Sequence, residues 1–241
     1  MALCAGVGGL ELGLRLSVSR YRTVCYVERE TYAAAVLVAR MEAGELDEAP
    51  IWDDVETFDG RRWRGYVHII SAGFPCQPWS AAGSQKGTKD ERWVWPEIAR
   101  IIREVEPRYV FLENVPNLAI GGLGVVLGDL ALCGFDAEWD LFSAESEGAP
   151  HVRKRIFILA MADSNGTRQP SRGPRGEIGR APEQPEPSMG REPGEWWEVE
   201  PRLGRVVDGT PNWVDRIRSI GNGVVPAVAA RAFTELSERF R

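Results

Sequence analysis

Short apolar runs alternate with helical spacing along the first two thirds of the chain. Residues 23–27, 67–71, 109–112 and 156–159 are mostly apolar and β-branched or aromatic, as expected of strands buried on both faces. Ile98, Ile101, Ile102 and Val105 recur at helix spacing, and Pro107 stops the pattern. This order predicts βαβ units, an α/β fold and a mainly parallel sheet. From residue 163 to 195 the pattern breaks, since these 33 residues hold six Pro and six Gly and almost nothing apolar beyond Ile178, Ala181 and Met189. Helical spacing returns at Val225, Val228, Ala229, Ala232, Phe233, Leu236 and Phe240, with Pro226 at its start. The chain thus reads as a sheet domain, a Pro/Gly-rich insert and a closing helix.

Composition narrows the setting. The 241 residues suffice for one α/β domain with something smaller attached. No apolar run approaches the ~20 residues of a membrane span, and the first residues lack the basic-then-apolar order of a secretory signal. An intracellular, cytoplasmic protein is expected, with no membrane partner. Cys4, Cys25, Cys76 and Cys133 form no C-x-x-C pair, and with two His in the chain neither a metal site nor a disulfide framework is expected. The net charge of −6 divides into −9 over residues 1–150 and +3 over the remainder. Residues 153–180 carry seven basic side chains against Asp163 and Glu177, so a polyanion would dock there, although charge alone equally describes a solvated loop.

Four constellations carry candidate chemistry. Ala5-Gly6-Val7-Gly8-Gly9 is a glycine turn between a short first strand and a leucine-rich helix, the nucleotide-binding corner of an α/β sheet; Glu11 stands where the dinucleotide fingerprint needs a third glycine. Glu28, 20 residues after Gly8, ends the next strand, where a carboxylate can accept from both hydroxyls of a ribose. Gly73-Phe74-Pro75-Cys76-Gln77-Pro78 follows the strand at 67–71, and two prolines stiffen the corner that carries the Cys76 thiol. Residues 77–93 after it are small and polar, a candidate lid. Glu113-Asn114-Val115-Pro116 ends the strand at 109–112, which a single helical crossover makes the parallel neighbour of the Cys76 strand. Finally, His151-Val152-Arg153-Lys154-Arg155 leads into the strand at 156–159, and period-two alternation puts Arg153 and Arg155 on one face, opposite Lys154.

Together these residues resemble the cytosine-5 DNA methyltransferase family, in the family's motif order and over nearly the whole chain. The resemblance implies a Rossmann-like S-adenosylmethionine-dependent methyltransferase fold with a small, partly irregular target recognition insert. It divides the chain into a catalytic and cofactor-binding domain (1–161), the insert (162–210) and a closing helix (211–241). Ala5, Gly6, Gly8 and Gly9 are similar to the S-adenosylmethionine corner, Glu28 to the ribose acid, and Asp54 to the acid that contacts the adenine amino group. Pro75-Cys76-Gln77 matches the nucleophile motif, Glu113-Asn114-Val115 the acid motif, and Arg153 with Arg155 the arginine pair. Gly221-Asn222-Gly223-Val224-Val225-Pro226 resembles the final motif, which places Asn222 and Val224 beside the cofactor.

By that likeness Cys76 adds to carbon 6 of a cytosine flipped out of double-stranded DNA, Glu113 holds ring nitrogen 3 through a protonated carboxyl of raised pKa, Arg155 holds the base carbonyl, and Arg153 positions the active-site loop. The enzyme is expected to act as a monomer, without metal, in the manner of short phage-type or orphan methyltransferases of restriction-modification systems. Departures include Cys4 for the family's Phe, Arg29 for an apolar residue and His151 for Gln. A tRNA cytosine-5 methyltransferase shares these motifs but usually carries Cys-Phe-Thr where Pro116-Asn117-Leu118 stands here. A noncatalytic DNA-binding remnant is the third reading, and intact Cys76, Glu113 and Arg155 argue against it.

Overall fold

The computed structural model describes residues 1–75, 93–163 and 221–240. Seven strands form one sheet: β1 (Ala2–Leu3), β2 (Tyr26–Val27), β3 (Ile51–Trp52), β4 (Ile69–Gly73), β5 (Tyr109–Asn114), β6 (Phe135–Phe142) and β7 (Arg155–Ala162). Their spatial order is β3-β2-β1-β4-β5-β7-β6. The first five are parallel to one another, while β7 runs antiparallel to both β5 and β6. The sheet is therefore mainly parallel, as expected, and the 156–159 run belongs to its antiparallel side.

Among the described residues six α-helices accompany the strands: α1 (Gly9–Ser17), α2 (Thr31–Glu42), α3 (Trp95–Val105), α4 (Leu118–Gly121), α5 (Leu123–Leu132) and α6 (Pro226–Glu238). The crossover expected between 71 and 109 is α3, which starts on Pro96 in its first turn and buries Ile98, Ile101, Ile102 and Val105. Strand β5 is buried along its whole length because helices cover both faces. Val110 and Leu112 face the core beneath α3 and α5, whereas Phe111 faces Leu10, Leu14, Val228 and Phe233 beneath α1 and α6. Among the described residues no helix is long and apolar enough to cross a membrane.

Strand β6 has no counterpart among the expected strands, although Phe135, Ala137, Trp139 and Leu141 alternate with Asp136, Glu138 and Asp140. That period-two pattern marks an edge strand with one wet face, and searching for continuous apolar runs passes over it. The Pro/Gly-rich insert, apart from Asp163, lies outside the described residues.

The closing helix returns against α1 through glycine. A Cβ on Gly13 would lie 2.5 Å from the Ala229 Cβ and 2.8 Å from the Pro226 carbonyl, so the two helices approach as closely as they do because Gly13 has no side chain. Gly13→Ala is expected to cost about 1–3 kcal/mol of stability by overpacking this contact. Ala229→Gly should recover part of that loss as a coupling energy. Gly128→Ala in α5, where nothing lies within 4 Å of the added methyl, should instead gain up to about 1 kcal/mol from helix propensity. Urea unfolding of the three single variants and of the Gly13→Ala/Ala229→Gly double variant checks these signs.

Candidate active site

The carboxyl ends of β1, β2, β4 and β5 open into one cavity of about 550 Å³. Its wall brings together Ala5, Gly6, Gly9, Glu28, Asp54, Pro75, Glu113, Arg155, Asn222 and Val224, ten of the residues singled out in the sequence. Gly8 and Arg153 are not in the wall, and Cys76 lies outside the described residues.

The glycine corner is held by the chain it precedes. The Ala5 amide donates to the Val27 carbonyl at 3.1 Å and the Gly8 amide to the Ala5 carbonyl at 3.0 Å. Gly6 and Gly8 have φ of 55° and 82°, which a Cβ disfavours. Gly8 supports the turn from behind, since a Cβ there would strike Leu46 and Leu37 rather than enter the cavity. Glu28 braces the corner. Its Oε2 accepts from the Gly6 amide at 2.7 Å and its Oε1 from the Glu30 amide at 2.8 Å. Each oxygen keeps a second acceptor position, which is what a pair of ribose hydroxyls requires.

Next to this corner, Asp54 Oδ1 accepts from the Glu56 amide, and its Oδ2 is 4.0 Å from Arg29 Nε. Glu11 also lines the cavity; it is buried, receives the Ser71 hydroxyl on Oε1 and leaves Oε2 without a partner. The wall thus gathers carboxyls with acceptor capacity to spare and fits a cofactor that brings hydroxyls and positive charge. Sequence reasoning passed over Glu11 except as a missing glycine; its place at the third position of an amphipathic helix, on the Leu10–Leu14 side, was the available signal.

The other end of the cavity is built on β4, β5 and β7. Gly73 pairs with Glu113 in the parallel register, so the chain leaves β4 for Phe74 and Pro75 directly beside that carboxyl. The Asn114 side-chain amide donates to the Phe74 carbonyl at 3.1 Å and fixes the corner that leads to Cys76. Phe74 is wedged between Trp93 and Trp95, with ring centroids 5.9 and 5.7 Å away, so the chain returns at Trp93 close to where it left.

Because β7 is antiparallel, its first residue faces this end, and Arg155 Nε lies 3.0 Å from Glu113 Oε1. Arg153 precedes the strand with φ of 27°, so the extended alternation that was to pair it with Arg155 stops before it. Both guanidinium charges still act on Glu113. Burial pushes the Glu113 carboxyl up to about 7, and Arg155 and then Arg153 oppose the shift. Cys4, in the wall, is no competing thiolate: burial, Glu28 and Asp54 push its thiol up to about 12.

Residues 1–189 match the family description "C-5 cytosine-specific DNA methylase". This chain belongs to that family. Its relatives include the type II methyltransferase M.PspPI of Psychrobacter sp. (strain TA137), 35% identical over 165 residues that make up 66% of this chain and 38% of that protein. Another is the type II methyltransferase M.CviJI of Paramecium bursaria Chlorella virus IL3A, 32% identical over 67% of this chain and 42% of the relative. The chain therefore spans less than half the length of either. A crystal structure of a DNMT2 mutant from Spodoptera frugiperda shares the fold with a TM-score of 0.55 and 20% identity, over 75% of this chain and 56% of that one. The mainly parallel seven-stranded sheet is thus shared with a solved structure. Among the described residues no group of His, Cys, Asp and Glu could hold a metal ion.

The Glu113 carboxyl has a sign that can be measured. Raised from 4.5 to about 7 on folding, it binds its proton more tightly in the native state. Its contribution to stability is therefore complete at low pH and is lost as pH rises through this window. The unfolding free energy of the wild type relative to Glu113→Gln should fall between those two pH values. A flat difference in urea titrations from about pH 4 to 8 would show that burial does not hold the proton.

Proposed function

We propose that this chain carries the catalytic machinery of a DNA (cytosine-5)-methyltransferase that uses S-adenosylmethionine and acts on a cytosine flipped out of double-stranded DNA. The observation that carries the reading is the single cavity running from Glu28 to Glu113 and Arg155, in a chain of this family. S-adenosylmethionine, when bound, supplies an electrophilic methyl on sulfonium sulfur. Glu28 would hold the ribose hydroxyls, Asp54 the adenine amino group, and Ala5, Gly6, Gly9, Asn222 and Val224 the rest of the cofactor, with Gly8 supporting the turn and Pro75 forming the boundary with the base.

The Cys76 thiolate would add to carbon 6 of cytosine. The ring electron pair released toward carbon 5 makes that carbon the nucleophile. Glu113, protonated near neutral pH, would donate to ring nitrogen 3 as negative charge develops there. Arg155 would hold the base carbonyl while its charge faces Glu113. Once carbon 5 had taken up the methyl, the sulfur keeping the electrons of the broken bond and leaving as a neutral thioether, loss of the carbon 5 proton to a base would return the electron pair and expel the thiolate.

Residues 1–161 form the catalytic unit in this proposal, 162–210 the target recognition insert, and 211–241 the segment whose helix completes the catalytic domain. The excess of basic residues after 150 suits a polyanion. The enzyme works as a cytoplasmic monomer in a bacterial or phage-infected cell.

Cys76→Ala should reduce methyl transfer to background, whereas Cys25→Ser and Cys133→Ser, which alter buried core thiols, should leave most of it. DNA with fluorine at cytosine ring position 5 should trap the wild type covalently, because the final step then lacks a removable proton. Substantial transfer by Cys76→Ala would sink the nucleophile assignment. Glu28→Ala should weaken S-adenosylmethionine binding by about 1.5–3 kcal/mol, the usual cost of losing hydrogen bonds to a charged acceptor. Equal affinity by calorimetry would place the ribose elsewhere.

A further inference from the structure

Arg153 does not touch the cavity, yet it holds part of its wall. One guanidinium nitrogen, Nη2, donates to the Gly221 carbonyl at 2.7 Å and also to the Gly223 carbonyl. These carbonyls bracket Asn222, and Asn222, Gly223 and Val224 line the cavity. Val224 is seated in turn against Gly9, where a Cβ would run into its carbonyl. The wall segment is thus pinned from two sides, by the glycine corner and by Arg153.

Two features show that this contact is costly to build. Arg153 adopts a φ of 27°, a backbone conformation that a residue with a Cβ seldom takes. Its half-buried guanidinium is disfavoured first by lost hydration and then by the like charge of Arg155, with Glu113 opposing both. The link spans 68 and 70 positions in sequence, so it fastens the returning end of the chain to the loop before β7. A second link joins nearly the same segments: Arg231 Nη1 lies 3.0 Å from Glu147 Oε1. That pair docks helix α6 and touches no residue of the wall.

We propose that Arg153 is a positioning residue for the cofactor: it fixes Gly221–Val224 as the wall of the cavity, while Arg155 alone of the pair serves the base. The inference rests on the cavity holding S-adenosylmethionine, as proposed above. It predicts a division of labour within the arginine pair that spacing in the sequence does not reveal. Loss of Arg153 should act on cofactor binding first, and loss of Arg155 on the base.

The test compares the wild type with Arg153→Ala, Arg153→Lys and Arg231→Ala as full chains. Calorimetry with S-adenosylmethionine should show binding weakened roughly ten- to hundredfold in Arg153→Ala, partly recovered in Arg153→Lys, whose ammonium can still donate, and unchanged in Arg231→Ala. Without any ligand, the amides of residues 222–225 should exchange faster in Arg153→Ala than in the wild type. In methylation assays the KM for S-adenosylmethionine should rise while the KM for DNA stays within about twofold. Wild-type affinity in Arg153→Ala, or an equal loss in Arg231→Ala, would overturn the positioning role, the latter because it would trace the effect to helix docking in general. Should Arg153→Ala fail to fold, wild-type affinity and exchange rates in Arg153→Gln overturn it equally. Failure of the cofactor reading would show separately, as no binding by the wild type, and unchanged amide exchange would overturn the positioning of the wall whatever ligand the cavity takes.

Discussion

The arrangement of the site depends on one buried ion pair at the point where the sheet changes direction. Glu113 is the next-to-last residue of β5 and Arg155 the first of β7, and the two meet at 3.0 Å, the carboxyl buried and the guanidinium partly so. A buried carboxyl this close to a guanidinium recovers part of its lost hydration only if the partner arrives at the same end of the sheet. In a wholly parallel sheet, β7 would start at the other end of β5, roughly 15–20 Å away along a strand of this length. The β6–β7 antiparallel pair is what removes that separation. The direction of β7 thus shapes the site, and the Coulomb attraction it permits opposes the burial that pushes the Glu113 carboxyl up to about 7.

A second constraint concerns how a cavity can be shared by the two ends of a chain. The glycine corner comes from the first residues and the Asn222–Val224 wall from the last described ones. Gly9 and Gly13 allow the closing segment and α6 to lie directly on α1, and Ala229, Ala232 and Phe233 bury themselves in the same core as Leu10 and Leu14. Small residues at the contact set the distance and large ones beside it supply the apolar burial.

Much of this was legible in the sequence because hydrophobic spacing reports burial directly. The α3 pattern, the doubly buried β5 and the apolar face of α6 followed from it, as did the corner glycines and Glu28. Strand direction did not. A continuous apolar run such as 156–159 looks the same in either orientation, and a short edge strand such as Ile51–Trp52 leaves too few residues for any period. Arg153 shows a subtler limit. Alternation counted its side chain into the site, but one residue in the left-handed region breaks the count and sends the guanidinium to a backbone segment far away in sequence. Asn114 was visible as part of a motif, while its work of holding the Phe74 carbonyl is a tertiary contact that no spacing encodes.

The strand order also sorts charge along the cavity. Glu28, Glu30, Asp54 and Glu56 belong to the β2 and β3 side, and Arg155 belongs to the β7 side, with β1, β4 and β5 between them. A cationic ligand is drawn to the first end and a group developing negative charge to the second. The same division governs Cys4. Cys4 sits among the carboxyls and is held as a thiol, its pKa pushed up to about 12. A cysteine that must become a thiolate requires the opposite surroundings. The Phe74–Pro75 corner lies at the other end, beside Glu113 and Arg155, where positive charge is available.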